Sequence, residues 1–227
     1  MNLRPLSCDE VRQVDKTAIE TFGMSGLVLM ENAGRGAAER IAAIVPTNDP
    51  ITILCGKGNN AGDGYVIARH LERLGRQVTI LSIVDLESLS GDAKVNAEIA
   101  RKADIEINIA NSTESLKQPI ETAKALVDCL LGTGAQGPLR GLYAEAVRVA
   151  NASSAMRIAI DVPSGLNVDT GEPGEPTFQA AWTLSFVAEK IGFTRKSAKP
   201  FVGCVGVVSI GIPQKLLDQI QVGTDQQ

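Results

Sequence analysis

Apolar positions along the chain follow two periods. After Ser7, which with Glu10 has the form of a capping box, Val11, Val14, Ala18 and Ile19 keep helical spacing until Gly23. A second helical stretch runs from Leu27 to Ile44 and is closed by Pro46, Asn48, Asp49 and Pro50. From there short apolar runs alternate with longer amphipathic ones: strands are predicted over 51–55, 78–84, 105–109, 125–131 and 157–160, and helices over 62–74, 90–102, 113–124 and 139–152. Nearly continuous β-branched runs separated by helices predict a mostly parallel sheet with helices on both faces. This is a three-layer α/β/α Rossmann-like arrangement, in one α/β domain over 1–227. Two more strands are expected at 182–187 and 204–210, after a Pro/Gly-rich stretch from Pro163 to Pro176 long enough to be a candidate binding loop. The tail after Val222 is polar and expected to fray.

Composition narrows the partners. Apolar residues at 44% and charged residues at 21% of 227 positions describe one ordinary globular core. A formal charge of −4, with no Lys/Arg run interleaved with aromatics, disfavours nucleic acid. The N-terminal stretch lacks a basic segment followed by an apolar one, and no apolar run approaches the ~20 residues of a membrane helix, so a cytoplasmic protein without a membrane partner is expected. The four cysteines, Cys8, Cys55, Cys129 and Cys204, form no CxxC pair and read as reduced structural thiols. His70 is the single histidine, which removes most imidazole chemistry and leaves it a packing or solvent-facing role.

In a parallel sheet, ligands bind beyond the carboxyl ends of the strands, so the strand-end loops carry the candidate chemistry. The first strand runs into Gly56-Lys57-Gly58-Asn59-Asn60-Ala61-Gly62-Asp63-Gly64 and then a helix. Such a turn leaves backbone N–H groups free at the positive end of a helix dipole, an anion site suited to a small phosphate-bearing ligand; the plain alternative is a tight turn with an Asn or Asp cap. Gly56, Gly58 and Ala61 also fit the dinucleotide fingerprint GxGxxG/A, with Asp85 near the place of its ribose-binding acid, which keeps an NAD(P)-dependent oxidoreductase open. Against it, Asp63 is expected in the first helical turn, capping the amides that a pyrophosphate needs. A second glycine loop, Gly132-Thr133-Gly134-Ala135-Gln136-Gly137-Pro138, follows the strand that holds Asp128, and the next strand ends in Asp161-Val162-Pro163-Ser164. With these strands side by side, Asn60, Asp128, Asp161 and Ser164 converge at one edge of the sheet. Asp128, inside a hydrophobic strand, needs a cation or a hydrogen-bond partner; loop capping is the plain alternative for Asp128 and Asp161. Oxygen donors with a single carboxylate fit a hard, weakly charged cation better than zinc.

The segments GKGNNAGDGYVIARHL, VDCLLGTGAQGP and AIDVPSGLNVDTG, with LMENAG before them and GVVSIGIP after, resemble the NAD(P)H-hydrate epimerase family from about Leu6 to Pro213. The resemblance implies a Rossmann-like fold, usually dimeric, and an isomerase that interconverts the R and S epimers of hydrated NADH and NADPH (NADHX and NADPHX), feeding an S-specific dehydratase. It implies substrate contacts at Asn59, Asn60, Ala61, Gly62 and Asp63, at Gly132, Thr133, Gly134, Ala135, Gln136, Gly137 and Pro138, and at Asp161. It further implies a potassium ion (K+), one per subunit, held by Asn60, Asp128 and Ser164. Ala61 stands where the family commonly has Gly, and Ala181 and Trp182 where an acidic residue often precedes the Thr-x-x-Phe strand. Some members carry a fused dehydratase domain; the chain ends too early for one, so that partner is expected as a separate protein. On this reading Asp161 is the expected general acid/base. The remaining alternative is a non-catalytic nucleotide-binding or scaffold protein of the same fold, which would be expected to lose the Asp or Asn positions retained here.

Overall fold

The structure is a computed structural model and describes residues 3–135 and 137–222. In chain order the elements are α1 (Cys8–Glu20), α2 (Gly26–Ile44), β1 (Ile51–Cys55), α3 (Asn59–Arg73), β2 (Val78–Ser82), α4 (Gly91–Lys102), β3 (Ile107–Ile109), α5 (Thr113–Glu121), β4 (Ala125–Cys129), α6 (Gly141–Ala152), β5 (Met156–Ile160), β6 (Trp182–Phe186), α7 (Lys199–Val202), β7 (Cys204–Val208) and α8 (Gln214–Val222). The strands form one seven-stranded sheet in the order β3-β2-β1-β4-β5-β6-β7, and each neighbouring pair of these strands is parallel.

The two-residue period of the strands sorts their side chains into two cores. Ile51, Ile53 and Cys55 join a cluster with Val11 of α1, Ala33 of α2, Ile67 of α3, Ala97 of α4 and Leu216 of α8. Leu54 and Leu126 join the other, with Leu116 of α5 and Val147 of α6. Both faces of the sheet are therefore covered and every residue of β1 and β4 is buried, which is why these strands lack a polar face. The expected three-layer α/β/α fold is the observed one. From β1 the chain steps outward through β2 and β3, then returns to β4 on the other side and continues to β7. The carboxyl ends of β1 and β4 thus flank the point where the winding reverses, the place where sheets of this kind bind ligands.

Several boundaries differ from expectation. Helix α3 begins at Asn59 rather than 62, because the amides of Ala61 and Gly62 both reach back to the carbonyl of Gly58, the extended N-cap. Strand β4 stops at Cys129 rather than 131; Leu130 and Leu131 leave the ladder and hold Asp128 and Ser164 instead. The short helices α7 and α8 lie outside the predicted elements; α8 packs Leu216, Leu217 and Ile220 on the core. The stretch 163–176 folds onto itself, with Leu166 bridged to Pro173, and packs Leu166 and Val168 against Phe193 and Val202. None of its residues lines the cavity described below. No helix among the described residues is long and apolar enough to cross a membrane. The fraying expected after Val222 and the expected contact of Gln136 lie outside the described residues.

Candidate active site

The loops after β1 and β4 are pressed together at the reversal point. A Cβ at Gly56 would lie 2.2 Å from the carbonyl oxygen of Leu130, so only glycine lets the two backbones approach this closely. The chain then enters α3 through Gly58, and no side chain caps the helix. Its first amides therefore point outward at the positive end of the dipole, and the plain reading of this loop as an Asn- or Asp-capped turn does not hold. Beside it lies a cavity of about 600 Å³ lined by Gly58, Asn59, Asn60 and Asp63 from the first loop and helix, Gly132 to Ala135 from the second, Asp161 from the end of β5, and Val11, Asp15, Leu29 and Met30 from α1 and α2.

Of the expected contacts, Asn59, Asn60, Asp63, Gly132, Thr133, Gly134, Ala135 and Asp161 line this cavity. Ala61 instead packs in the core, and Gly62 lies against Met30 and Ala93. Gly137 and Pro138 are exposed and do not line it. Asp63 does not cap α3: it is the fifth residue of the helix, one turn too late to reach the free amides, and its buried side chain turns to the cavity. The objection that it competes with a pyrophosphate falls with that placement. Asp85, the ribose-binding candidate, is exposed and accepts from the amide of Glu87 at 2.9 Å, capping its own turn. His70 pairs with Glu31, Nε2 to Oε1 2.8 Å, away from the cavity.

Asn60, Asp128, Asp161 and Ser164 do converge. Asp128 is fully buried, and its Oδ1 accepts from the Ser164 hydroxyl at 2.7 Å and the Leu130 amide at 3.1 Å while Oδ2 accepts from the Ser164 amide at 2.8 Å. Burial pushes its carboxyl up to about 6, against these donors. Hydrogen bonds thus meet the need that its burial creates. Asn60 Oδ1 is buried without a partner, while Nδ2 of the same amide donates to the Leu131 carbonyl at 2.8 Å. An orphaned amide oxygen beside a carboxylate, a hydroxyl and a carbonyl is an oxygen set that suits a monovalent cation. Among the described residues no three His, Cys, Asp or Glu side chains gather as a site for a transition metal.

The cavity floor is acidic. Asp161 takes a left-handed backbone, φ 65°, which is rare for a non-glycine residue and characteristic of functional positions. Its Oδ2 accepts from the Thr133 amide at 3.4 Å, and its Oδ1 lies 2.9 Å from Nζ of Lys190, a fully buried lysine. Asp15 and Asp63 face the same region. Burial first, then the Asp161 charge, push Asp15 up to about 6, with Lys190 opposing. Burial, Asp161 and Asp15 together hold Asp63 well above the usual carboxylate range. Sequence reasoning missed Asp15 and Lys190. Asp15 could have been seen as a charge set beside the buried positions Val11, Val14 and Ala18 of α1, and Lys190 as a basic residue just past the end of a parallel strand.

Residues 26–192 match the family described as YjeF-related protein N-terminus, most of the chain. The chain belongs to this family. It is 51% identical over 223 residues to the NAD(P)H-hydrate epimerase of Rhodopirellula baltica, covering 98% of this chain and 90% of that one. Against the NAD(P)H-hydrate epimerase of Pirellula staleyi it is 40% identical, covering 92% and 93%. The bifunctional NAD(P)H-hydrate repair enzyme of Moorella thermoacetica is 36% identical over 92% of this chain, which spans only 40% of that relative. The crystal structure of yeast YNL200c shares the fold, with a TM-score of 0.78, 22% identity and coverage of 96% and 93%.

Proposed function

We propose that the protein is an isomerase that interconverts the R and S epimers of hydrated NADH and NADPH, a repair step for nicotinamide cofactors. The observation that carries this reading is the Asp161 carboxylate, held on a strained backbone at the cavity floor beside an uncapped helix N-terminus. The relatives that share nearly the whole chain and are named NAD(P)H-hydrate epimerase support it.

The substrate carbon, C6 of the hydrated nicotinamide, bears a hydroxyl next to a ring nitrogen. Protonation of that hydroxyl by the Asp161 carboxyl releases water, and the nitrogen lone pair stabilises the carbon as an iminium. Water then adds from either face and returns its proton to the Asp161 carboxylate, so no redox change occurs and the acid is regenerated. The free amides of α3 suit a phosphate of the dinucleotide, and the loop 132–135 closes the site around the ring. Asn60, Asp128 and Ser164, with the Leu131 carbonyl, would hold one potassium ion per subunit. Its charge would fix the loop after β4 and offset Asp128.

The reading extends to a homodimer working with an S-specific dehydratase in the cytoplasm. Relatives that join both activities in one chain support the link to a dehydratase, and four free cysteines suit a reducing compartment.

The deciding experiment supplies mixed R and S hydrates together with an S-specific dehydratase. With the protein present all substrate is expected to be consumed; a residue of R hydrate equal to that in the dehydratase-only control would overturn the reading. An oxidoreductase would instead transfer hydride from NADH to a carbonyl, visible at the nicotinamide absorbance.

A further inference from the structure

Lys190 is an unusual use of a charge. Its side chain is wholly buried, and lysine is almost never so placed without a partner, because desolvating an ammonium is costly. The ammonium has three N–H donors. They are matched by Ser185 Oγ at 3.0 Å, the Phe186 carbonyl at 2.9 Å and the Ala188 carbonyl at 3.3 Å. The flanking backbone is clamped too: the Leu6 amide donates to the Glu189 carbonyl at 2.8 Å and the Ile191 amide to the Leu6 carbonyl at 3.0 Å. The nitrogen is therefore held by three acceptors, and the backbone on either side of it by two further hydrogen bonds, before Asp161 is considered.

Those contacts alone describe a lysine that ties down the turn after β6. A neutral donor would serve that purpose without the cost of a buried charge. What a neutral donor cannot do is match the carboxylate whose Oδ1 lies 2.9 Å away and has no hydrogen-bond partner of its own. We propose that Lys190 is a positioning residue for the epimerisation, its locked ammonium holding the Asp161 carboxyl group at the one place and orientation from which it exchanges a proton with the substrate hydroxyl. The role rests on the function proposed above. It acts through Asp161: Lys190 does not line the cavity. It also accounts for the left-handed backbone at Asp161, since a carboxylate carried on a strained residue needs an external anchor to stay aimed.

Lys190→Met keeps the volume and removes the charge. The expected result is a fall in kcat of about 100-fold or more with KM within about threefold of the parent and nucleotide binding retained, the pattern of a lost alignment rather than a lost binding contact. Lys190→Arg keeps the charge, but its planar fork cannot occupy the ammonium position, and kcat is expected to fall at least about tenfold. In Lys190→Ala, added propylammonium is expected to recover turnover at least about tenfold while propanol of the same size does not. Near-parental kcat in Lys190→Met or Lys190→Arg, or equal rescue by propanol, would show that Lys190 serves only the turn. Should the parent itself fail to epimerise, the proposed function is overturned and this role with it, whereas an active parent with active variants overturns the role alone.

Discussion

Replacing Asp15 by Asn tests the reading of the acidic cavity floor through stability alone. Asp15 is half-buried on the side of α1 that lines the cavity and is faced by Asp161 and Lys190; Asp63 and Arg12 line the same cavity. Its carboxyl is raised from 3.8 to about 6, chiefly by burial. A carboxyl with a raised folded value binds its proton more tightly when folded, so the folded state loses stability as pH climbs from the unfolded value towards and past the folded one. With those two values the penalty grows from about 0.5 kcal/mol at pH 4 to about 3 kcal/mol at pH 8. Asn keeps the shape and never ionises, and it also relieves the repulsion that Asp15 exerts on Asp63. Urea unfolding of parent and variant should therefore nearly coincide at pH 4, diverge mainly between pH 4 and 6 and level off above the folded value, with Asp15→Asn the more stable by about 3 kcal/mol, or roughly 1 M in midpoint, at pH 8. A difference that does not change with pH, or a variant less stable at pH 8, would refute the claim that this carboxylate is ionised at a cost in the fold.

Asp161→Asn is expected to abolish epimerisation, by about 1,000-fold or more, while equilibrium binding of a nicotinamide dinucleotide survives, because the amide keeps the shape but carries no titratable proton; binding and turnover assayed on the same preparation check this. Exchanging KCl for choline chloride is expected to lower the melting temperature by several degrees, corresponding to about 1–3 kcal/mol of linked binding, and Asn60→Ala should remove the difference. Gly56→Ala forces a Cβ to within 2.2 Å of the Leu130 carbonyl oxygen and should cost about 1–3 kcal/mol, whereas Gly206→Ala meets only Leu184 Cδ2 at 3.6 Å and should leave the melting temperature nearly unchanged. Thermal unfolding of the two variants side by side tests the pair.

The order of elements was legible because fully buried parallel strands have no polar face, so Ile51–Cys55 and Ala125–Cys129 stand out as short apolar runs. The polar residues at the ends of β4 and β5 were legible for the same reason: Asp128 and Asp161 interrupt chemistry that the core otherwise excludes. Asp15 and Lys190 were not read, since each is ordinary in its own segment, an acid on an amphipathic helix and a base in a loop. Only the sheet order, which puts β6 next to β5 and the end of β6 beside Asp161, turns them into parts of one charge cluster.

Asp63 shows how much hangs on a helix boundary. A start at 62 makes Asp63 a first-turn residue, whose side chain competes with any anion for the open amides; a start at Asn59 moves it one turn in. The difference comes from Gly58, which has no side chain to cap the helix and whose carbonyl collects the amides of Ala61 and Gly62. The amides at the helix entrance are then left to a ligand, and the carboxylate one turn below them is buried beside the Asp161 and Asp15 charges. An anion site and an acid cluster thus stack along one helix turn. That is the arrangement a charged dinucleotide needs if its phosphate is to be held at one end of a site and its ring to meet a proton donor at the other.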